Sequence, residues 1–271
     1  MIEVKMEFMK TNELLSSTRA PDHAISGRVR KRVTRIEAPL PKRRSFTYSL
    51  IARRKNGVRR LFTYQVWKDV GDRMFALLAI VITFPLLSII AIVIRLDSPG
   101  NPIFRRQQVG KDGHIFTAYK FRTMYTNNDD REYRAYIVRY IHENAPYKVS
   151  QQGQAVYKYV DDPRVTRFGV LLRRTNFDEL PQFFNVLKGE MSLVGPRPDI
   201  PFAVAMYKDW HRARLRVKPG ITGLWQVRER QKLSFEHMVR LDLSYVKKQS
   251  LLLDAKILLL TVRTVLRMDG S

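Results

Sequence analysis

The chain has 271 residues, no cysteine and a formal charge of +24 from 49 basic and 25 acidic side chains. Without cysteine there are no disulfides and no thiolate metal sites. The positive excess favours a polyanion, an anionic membrane surface or phosphorylated substrates as company.

Residues 1–66 carry the basic clusters RVRKRVTR, PLPKRR and ARRKNGVRR between short apolar islands. They read as a weakly ordered leader or a lipid-facing arm. No signal peptide is expected, because the first long apolar segment lies far downstream. That segment, MFALLAIVITFPLLSIIAIVI, runs uncharged from Met74 to Ile94. As a straight helix it would span about 31 Å, enough for a bilayer core. Pro85 near its midpoint removes one backbone hydrogen bond and crowds the preceding turn. Lys68 and Arg73 precede the segment and Arg95, Arg105 and Arg106 follow it, so positive charge sets no orientation. The residues leave open a kinked crossing helix or a helix over 67–96 that bends back.

Residues 97–271 read as the folded, catalytic-looking portion. PIFRRQQV and HIFTAYKF, separated by Lys111-Asp112-Gly113, predict a small β-hairpin flanked by Arg105, Arg106, Lys111, Lys120 and Arg122. The stretch over 126–162 predicts a helix at DDREYRAYIVRYIHE, then a loop and a short strand at AVYKYV, with no evident chemistry. His142 reads as a surface residue. DDPRVTRFGVLLRRTN predicts a basic amphipathic helix capped by Asp162 with Pro163 first, gathering Val165, Phe168, Leu171 and Leu172 on one side. Near the C-terminus, SLLLDAKILLLTVRTVLRM is apolar but broken by Asp254, Lys256 and Arg263, and predicts an interfacial or core helix.

The acids lie in TNFDELPQFFNVLKGEMSLVGPRP. Asp178 is expected as a helix cap with Glu179 first, Leu180, Phe184 and Leu187 packing, and Gly189 ending the helix. The pair is explained equally by the helix dipole or by chemistry. Carboxylates can hold Mg²⁺, whose other ligands are water and phosphate oxygens, or attack phosphorus directly. Arg197 follows a rigid Gly-Pro, and its planar fork matches phosphate.

From about Trp67 to Met268 the chain resembles the bacterial sugar transferases, monotopic enzymes that move a phosphosugar from a nucleotide sugar to polyprenyl phosphate. The matching blocks are KDVGDRMFALLAIVITFPLL, RLDSPGNPIFRRQQVGKDG, YKFRTM, DDPRVTRFGVLLRRTNFDELPQFFNVLKGEMSLVGPRP, KPGITGLWQV, LDLSYVKK and LLLDAKILLLTV. The resemblance implies a mostly helical α+β monotopic membrane protein with interfacial helices, its apolar helix re-entrant and bent at Pro85. It implies Asp178 as nucleophile, Glu179 as its partner at Mg²⁺, and Arg197 on substrate phosphate, with Arg122 and Arg105 as further phosphate-binding residues near the active face. A UDP-sugar donor (glucose or galactose), an undecaprenyl-type phosphate acceptor and release of UMP follow from it. So does a place on the cytoplasmic face of the bacterial inner membrane, in exopolysaccharide or O-antigen synthesis. Anionic lipids are expected partners, and a homo-oligomer is left open.

Two departures stand out: Phe84-Pro85 replaces the family's usual Ser-Pro, and Arg228-Glu229-Arg230 replaces a Ser-Gly-Arg turn. Larger members carry further membrane helices and a domain ahead of this module, where this chain has only its basic leader. A nucleic-acid binder would want a recognition helix, zinc finger or aromatic-basic platform, and none is evident. A non-enzymatic scaffold on anionic lipid is the remaining rival.

Overall fold

The computed structural model describes residues 55–126, 129–149, 153–157, 159, 162–228 and 233–266, with side chains from Tyr64 onward. The leader as far as residue 54 lies outside the described residues. Its last part, expected to be irregular, is instead the start of helix α1 (Lys55–Asp97). The basic residues there are good helix formers joined without a break to the apolar run.

Helix α1 continues through Pro85. Hydroxyls flank the proline: Thr83 donates to the Ala79 carbonyl at 2.7 Å and Ser88 to the Phe84 carbonyl at 3.0 Å. Such back-bonding often bends helices. Ala76, Ile80, Ile90 and Ile94 are buried, whereas Leu77, Leu78, Val81, Ile82, Phe84, Ile89 and Ile92 are exposed. Among the described residues α1 is the one helix long and apolar enough to cross a membrane.

Both flanks of the apolar run are held by the body that follows. At the first, Asp72 accepts from the Ser192 hydroxyl at 2.5 Å and from the Leu193 N–H at 3.3 Å. At the second, Arg122 donates to the carbonyls of Ile94 at 3.3 Å and Ser98 at 2.6 Å, and to that of Pro99. A cation on the last carbonyls of a helix satisfies groups with no intrahelical partner.

Strands β1 (Ile103–Val109) and β2 (Ile115–Phe121) form the expected antiparallel hairpin, Ile103 opposite Phe121 and Val109 opposite Ile115. Helix α2 (Arg131–Glu143) also lies where expected, with His142 exposed, and the segment after it adds a small hairpin of β3 (Lys148–Val149) and β4 (Ala155–Val156).

Helix α3 (Arg167–Thr175) begins later than predicted and is capped by Thr166, whose side chain accepts from the Gly169 N–H. Asp162 does not cap it. Val165 is drawn into an extended bridge with Met124, so the chain cannot turn helical there, and Asp162 binds the Arg164 guanidinium instead. Leu172 is buried and Phe168 packs beside it, but Leu171 faces out.

After α4 (Gln182–Lys188), β5 (Ser192–Val194) and α5 (Pro201–Ala205) come a 3₁₀ segment (His211–Arg216) and β6 (Gly220–Thr222). Helices α6 (Phe235–Lys248) and α7 (Leu251–Leu266) close the chain. The observed α+β fold is mostly helical. One core cluster joins α1, the hairpin, α4 and α7 through Ala76, Phe116, Val186 and Ile257; a second centres on Val204, Phe235 and Val239. Asp254, which interrupts the apolar pattern of α7, accepts from the Tyr64 hydroxyl, the Lys68 ammonium and the Tyr245 hydroxyl at 2.7–2.8 Å. The charge that breaks the span is therefore a tie to α1.

Candidate active site

Asp178 and Glu179 do not open an α-helix. They lie in a 3₁₀ turn (Phe177–Glu179) entered from Asn176 in the left-handed region, φ 58°, and α4 starts only at Gln182. Asp178 caps nothing. The fully buried residues of α4 are Gln182, Asn185 and Val186; Leu187 packs half-buried against the core as expected, whereas Phe184 is exposed. Asn185 explains the shift: its side chain accepts from the Tyr119 N–H and donates to the Thr117 carbonyl and to Glu190, tying α4 to β2. Apolar spacing does not register such a polar anchor. Gly189 ends α4 as expected, at φ 79°.

The two acids are unequal. Both Glu179 oxygens are taken: Oε1 by Lys120 Nζ at 2.8 Å and Arg197 Nη2 at 2.5 Å, Oε2 by Arg197 Nη1 at 3.2 Å. Among the described residues Asp178 carries no hydrogen bond or ion pair. Burial works to raise the Glu179 carboxyl, but the charges of Arg197 and Lys120 outweigh it and hold the group well below its usual range. For Asp178, burial wins. It pushes the carboxyl up to about 6; Lys120 and Arg197 pull against it and the Glu179 charge adds to it. Arg173 also acts on Asp178 by charge, and its own pKa is lowered by burial. Lys120 and Arg197 thus act on both acids, and Arg173 on Asp178 as well.

Two crossing loops place Arg197. Strand β5 leads into GPRP, and β6 lies parallel to it, Ser192 opposite Gly220 and Val194 opposite Thr222. Gly195 donates to the Thr222 carbonyl at 2.9 Å and Gly220 to the Pro196 carbonyl at 3.0 Å. A Cβ on Gly220 would stand 2.1 Å from the Gly195 nitrogen, and one on Gly223 2.5 Å from its carbonyl oxygen. The glycines of KPGITG are there so that the GPRP backbone can come this close. Gly220→Ala should therefore lower stability by about 2 kcal/mol or more and reduce activity with it. A thermal midpoint within a degree of wild type would contradict this. On the other side, Val109 N–H donates to the Asp199 carbonyl at 2.8 Å, tying the loop to the hairpin.

Of the predicted site residues, the structure brings Asp178, Glu179 and Arg197 together. Arg122 is buried at the end of α1, its guanidinium on carbonyls. Strand β2 ends at Phe121, so the alternation that would set Arg122 beside Lys120 stops one residue short. Arg105 is exposed on β1, and its charge acts on Lys188 at the far end of α4. Arg106 points the other way, 5.8 Å from the Tyr133 ring centroid, and Arg197 also acts on Tyr133. Lys120, Arg173 and Arg106 are site neighbours that sequence reasoning noted only as basic residues, Lys120 and Arg106 along the hairpin and Arg173 on the amphipathic helix. For Lys120 the signal was available in YKFRTM; for Arg173 it was not.

Helix and site together define the class: a protein with one membrane-competent helix and a carboxylate site set among cations. Residues 63–268 match the model of the bacterial sugar transferase family, and the chain belongs to that family. It is 37% identical over 206 residues to the galactosyl transferase CpsE of Streptococcus agalactiae, covering 74% of this chain and 43% of that protein. It is 38% identical over 204 residues to the undecaprenyl-phosphate galactose phosphotransferase of Salmonella typhimurium, covering 75% and 41%. With the exopolysaccharide production protein ExoY of Sinorhizobium fredii it shares 34% over 200 residues, 74% of this chain and 85% of that one. The chain thus spans less than half the length of the first two and most of the third.

Proposed function

We propose that the chain transfers a sugar 1-phosphate from a UDP-sugar to a polyprenyl phosphate, releasing UMP. The observation that carries this is the asymmetry of the acid pair. Glu179 is neutralised by Arg197 and Lys120, while Asp178 remains an unpaired carboxylate beside the same cations. In the first step an Asp178 oxygen attacks the sugar-bearing phosphorus. The bond to the bridging oxygen breaks, and UMP leaves with that oxygen and its electron pair. In the second step a phosphate oxygen of the lipid attacks the same phosphorus, and Asp178 leaves as carboxylate. Arg197 and Lys120 serve the charge on the phosphoryl oxygens in both steps through the N–H donors that Glu179 leaves free.

Among the described residues no group of three metal-ligating side chains occurs. Two carboxylates alone suit Mg²⁺, which takes its other ligands from phosphate and water. Asp178, unpaired among the described residues, and Oε2 of Glu179, whose one contact is Arg197 Nη1 at 3.2 Å, would hold it, and there it would supply neutralising charge for the donor diphosphate. The names of the relatives favour galactose or glucose as the sugar, undecaprenyl phosphate as the acceptor and exopolysaccharide synthesis as the setting; O-antigen synthesis rests on the resemblance alone.

For topology, the reading is a re-entrant helix with the catalytic body on the cytoplasmic face. Its support is that the one body holds Asp72 at one flank of the apolar run and Ile94 at the other. The exposed Val170, Leu171, Phe184, Leu251 and Leu252 suit contact with the interface, and the basic excess suits anionic lipid. The native chain has no cysteine, so single cysteines at Arg59 and at the exposed His114 report cleanly. Both should resist a periplasm-only thiol reagent and label after permeabilisation. Opposite accessibility would establish a crossing helix.

The reaction itself is tested by supplying UDP-glucose or UDP-galactose, undecaprenyl phosphate and Mg²⁺ and following UMP. Lipid binding without UMP release would return the chain to the scaffold reading.

A further inference from the structure

A buried ion pair lies behind the GPRP loop. Arg214, in the 3₁₀ segment, and Asp242, on α6, have side chains 2% and 1% exposed, with Nη2 of Arg214 2.5 Å from Oδ2 of Asp242. The same Nη2 donates to the Arg197 carbonyl at 2.9 Å, and Nη1 donates to the Tyr207 hydroxyl at 2.7 Å. Tyr207 in turn donates to Oδ2 of Asp199 at 3.0 Å. One guanidinium therefore grips the loop at residue 197 directly and at residue 199 through Tyr207.

The loop needs such a grip. Pro196 and Pro198 flank Arg197, and neither brings an N–H that could anchor the backbone. Carbonyls are what these positions offer. That of Pro196 is taken by the Gly220 N–H, and that of Arg197 by Arg214. The arrangement is also a poor device for stability alone. Removing both charges from water costs several kcal/mol per ion, and an apolar pair of similar volume would hold α6 to the 3₁₀ segment as well or better. What an apolar pair cannot do is donate to the Arg197 carbonyl.

We propose that Arg214, held in place by its ion pair with Asp242, is the positioning residue that fixes the backbone of Arg197 and so aims its guanidinium. This rests on the phosphate role of Arg197 proposed above. Arg214 itself lies behind the loop and touches Arg197 through the main chain, so its effect on transfer passes through Arg197.

The test is a double-mutant cycle on the full chain. R214M/D242L replaces the ion pair by apolar groups, and R214K keeps a charge for Asp242 while losing the planar fork. Each is made with Arg197 intact and with R197K. UMP release gives kcat and KM for the donor, and thermal unfolding gives stability. With Arg197 intact, R214M/D242L should unfold near the wild-type midpoint, yet lose about ten- to a hundredfold in kcat/KM, the scale of a small misplacement in an active site. In the R197K background the same change should cost less than about threefold, because the fork it aims is already gone. R214K should show the same non-additivity, and it carries the test should the apolar pair fail to fold. Equal losses in both backgrounds, or wild-type kcat/KM in R214M/D242L, overturn the positioning role while leaving the reaction standing. A wild type that releases no UMP overturns the reaction and this inference with it.

Discussion

Asp178→Asn should reduce turnover by about a thousandfold or more while leaving the fold intact. The substitution keeps the size of the side chain, and Asp178 caps no helix and holds no ion pair among the described residues, so little structure depends on its charge. What goes is the nucleophile. The wild type, given donor labelled in the sugar phosphate but no lipid, should retain label at Asp178 on peptide mapping. Label on another residue would reassign the attack, and full turnover by D178N, with deamidation excluded, would remove Asp178 from the chemistry. The raised pKa adds a pH signature. Asp178 loses its proton near pH 6 in the folded chain, so the attacking carboxylate is present above that value and lost below it. The donor-cleaving step should fall about tenfold per pH unit below the pKa. A rate flat down to pH 4 would be incompatible with this.

Arg197→Lys should cost about a hundredfold in kcat/KM although the charge is kept. Arg197 meets Glu179 through two nitrogens, Nη1 to Oε2 and Nη2 to Oε1, and that planar fork is the geometry a phosphoryl group also accepts. Lysine offers a point charge and cannot span two oxygens. The change should also be felt at Glu179, where burial pushes the pKa up and Arg197 and Lys120 hold it down. A weaker partner at 197 lets the Glu179 carboxyl rise toward its ordinary range. Carbon-detected titration of Glu179 would read this directly, and transfer at the wild-type rate by R197K would end the bidentate account.

Much of the architecture was legible in the residues. Met74 to Ile94 announces a membrane-competent helix because no side chain in it is charged and only Thr83 and Ser88 are polar. The hairpin follows from Lys111-Asp112-Gly113 between two short runs with strand character, and Gly189 follows from the left-handed conformation a helix end requires. The stretch DDREYRAYIVRYIHE and the broken apolar run near the C-terminus were also expected to be helical, and α2 and α7 lie there. These features depend on neighbours a few residues apart, and local order is what a sequence pattern records.

The predictions that missed share a cause. Asp162 should have capped α3 and Asp178 should have capped α4, by every local preference for such positions. Val165 was instead claimed by a bridge to Met124, 41 residues earlier, and the chain at 177–179 tightened into a 3₁₀ turn. Arg122 looked like a phosphate ligand beside the hairpin, but the carbonyls at the end of α1 take its guanidinium.

What the sequence determined by itself was therefore the kind of molecule: a basic chain with one membrane-competent helix, two adjacent acids and an arginine after a rigid turn. Only the tertiary structure decided which acid is free. Asp178 and Glu179 are chemically alike and adjacent, and nothing local separates them. The separation comes from Lys120, 59 residues before Glu179, and Arg197, 18 residues after it. Both spend their charge on Glu179, while burial lifts Asp178 toward a titratable range. Coulomb energy and desolvation depend on distance and on the medium between groups, and neither quantity exists until the chain has folded.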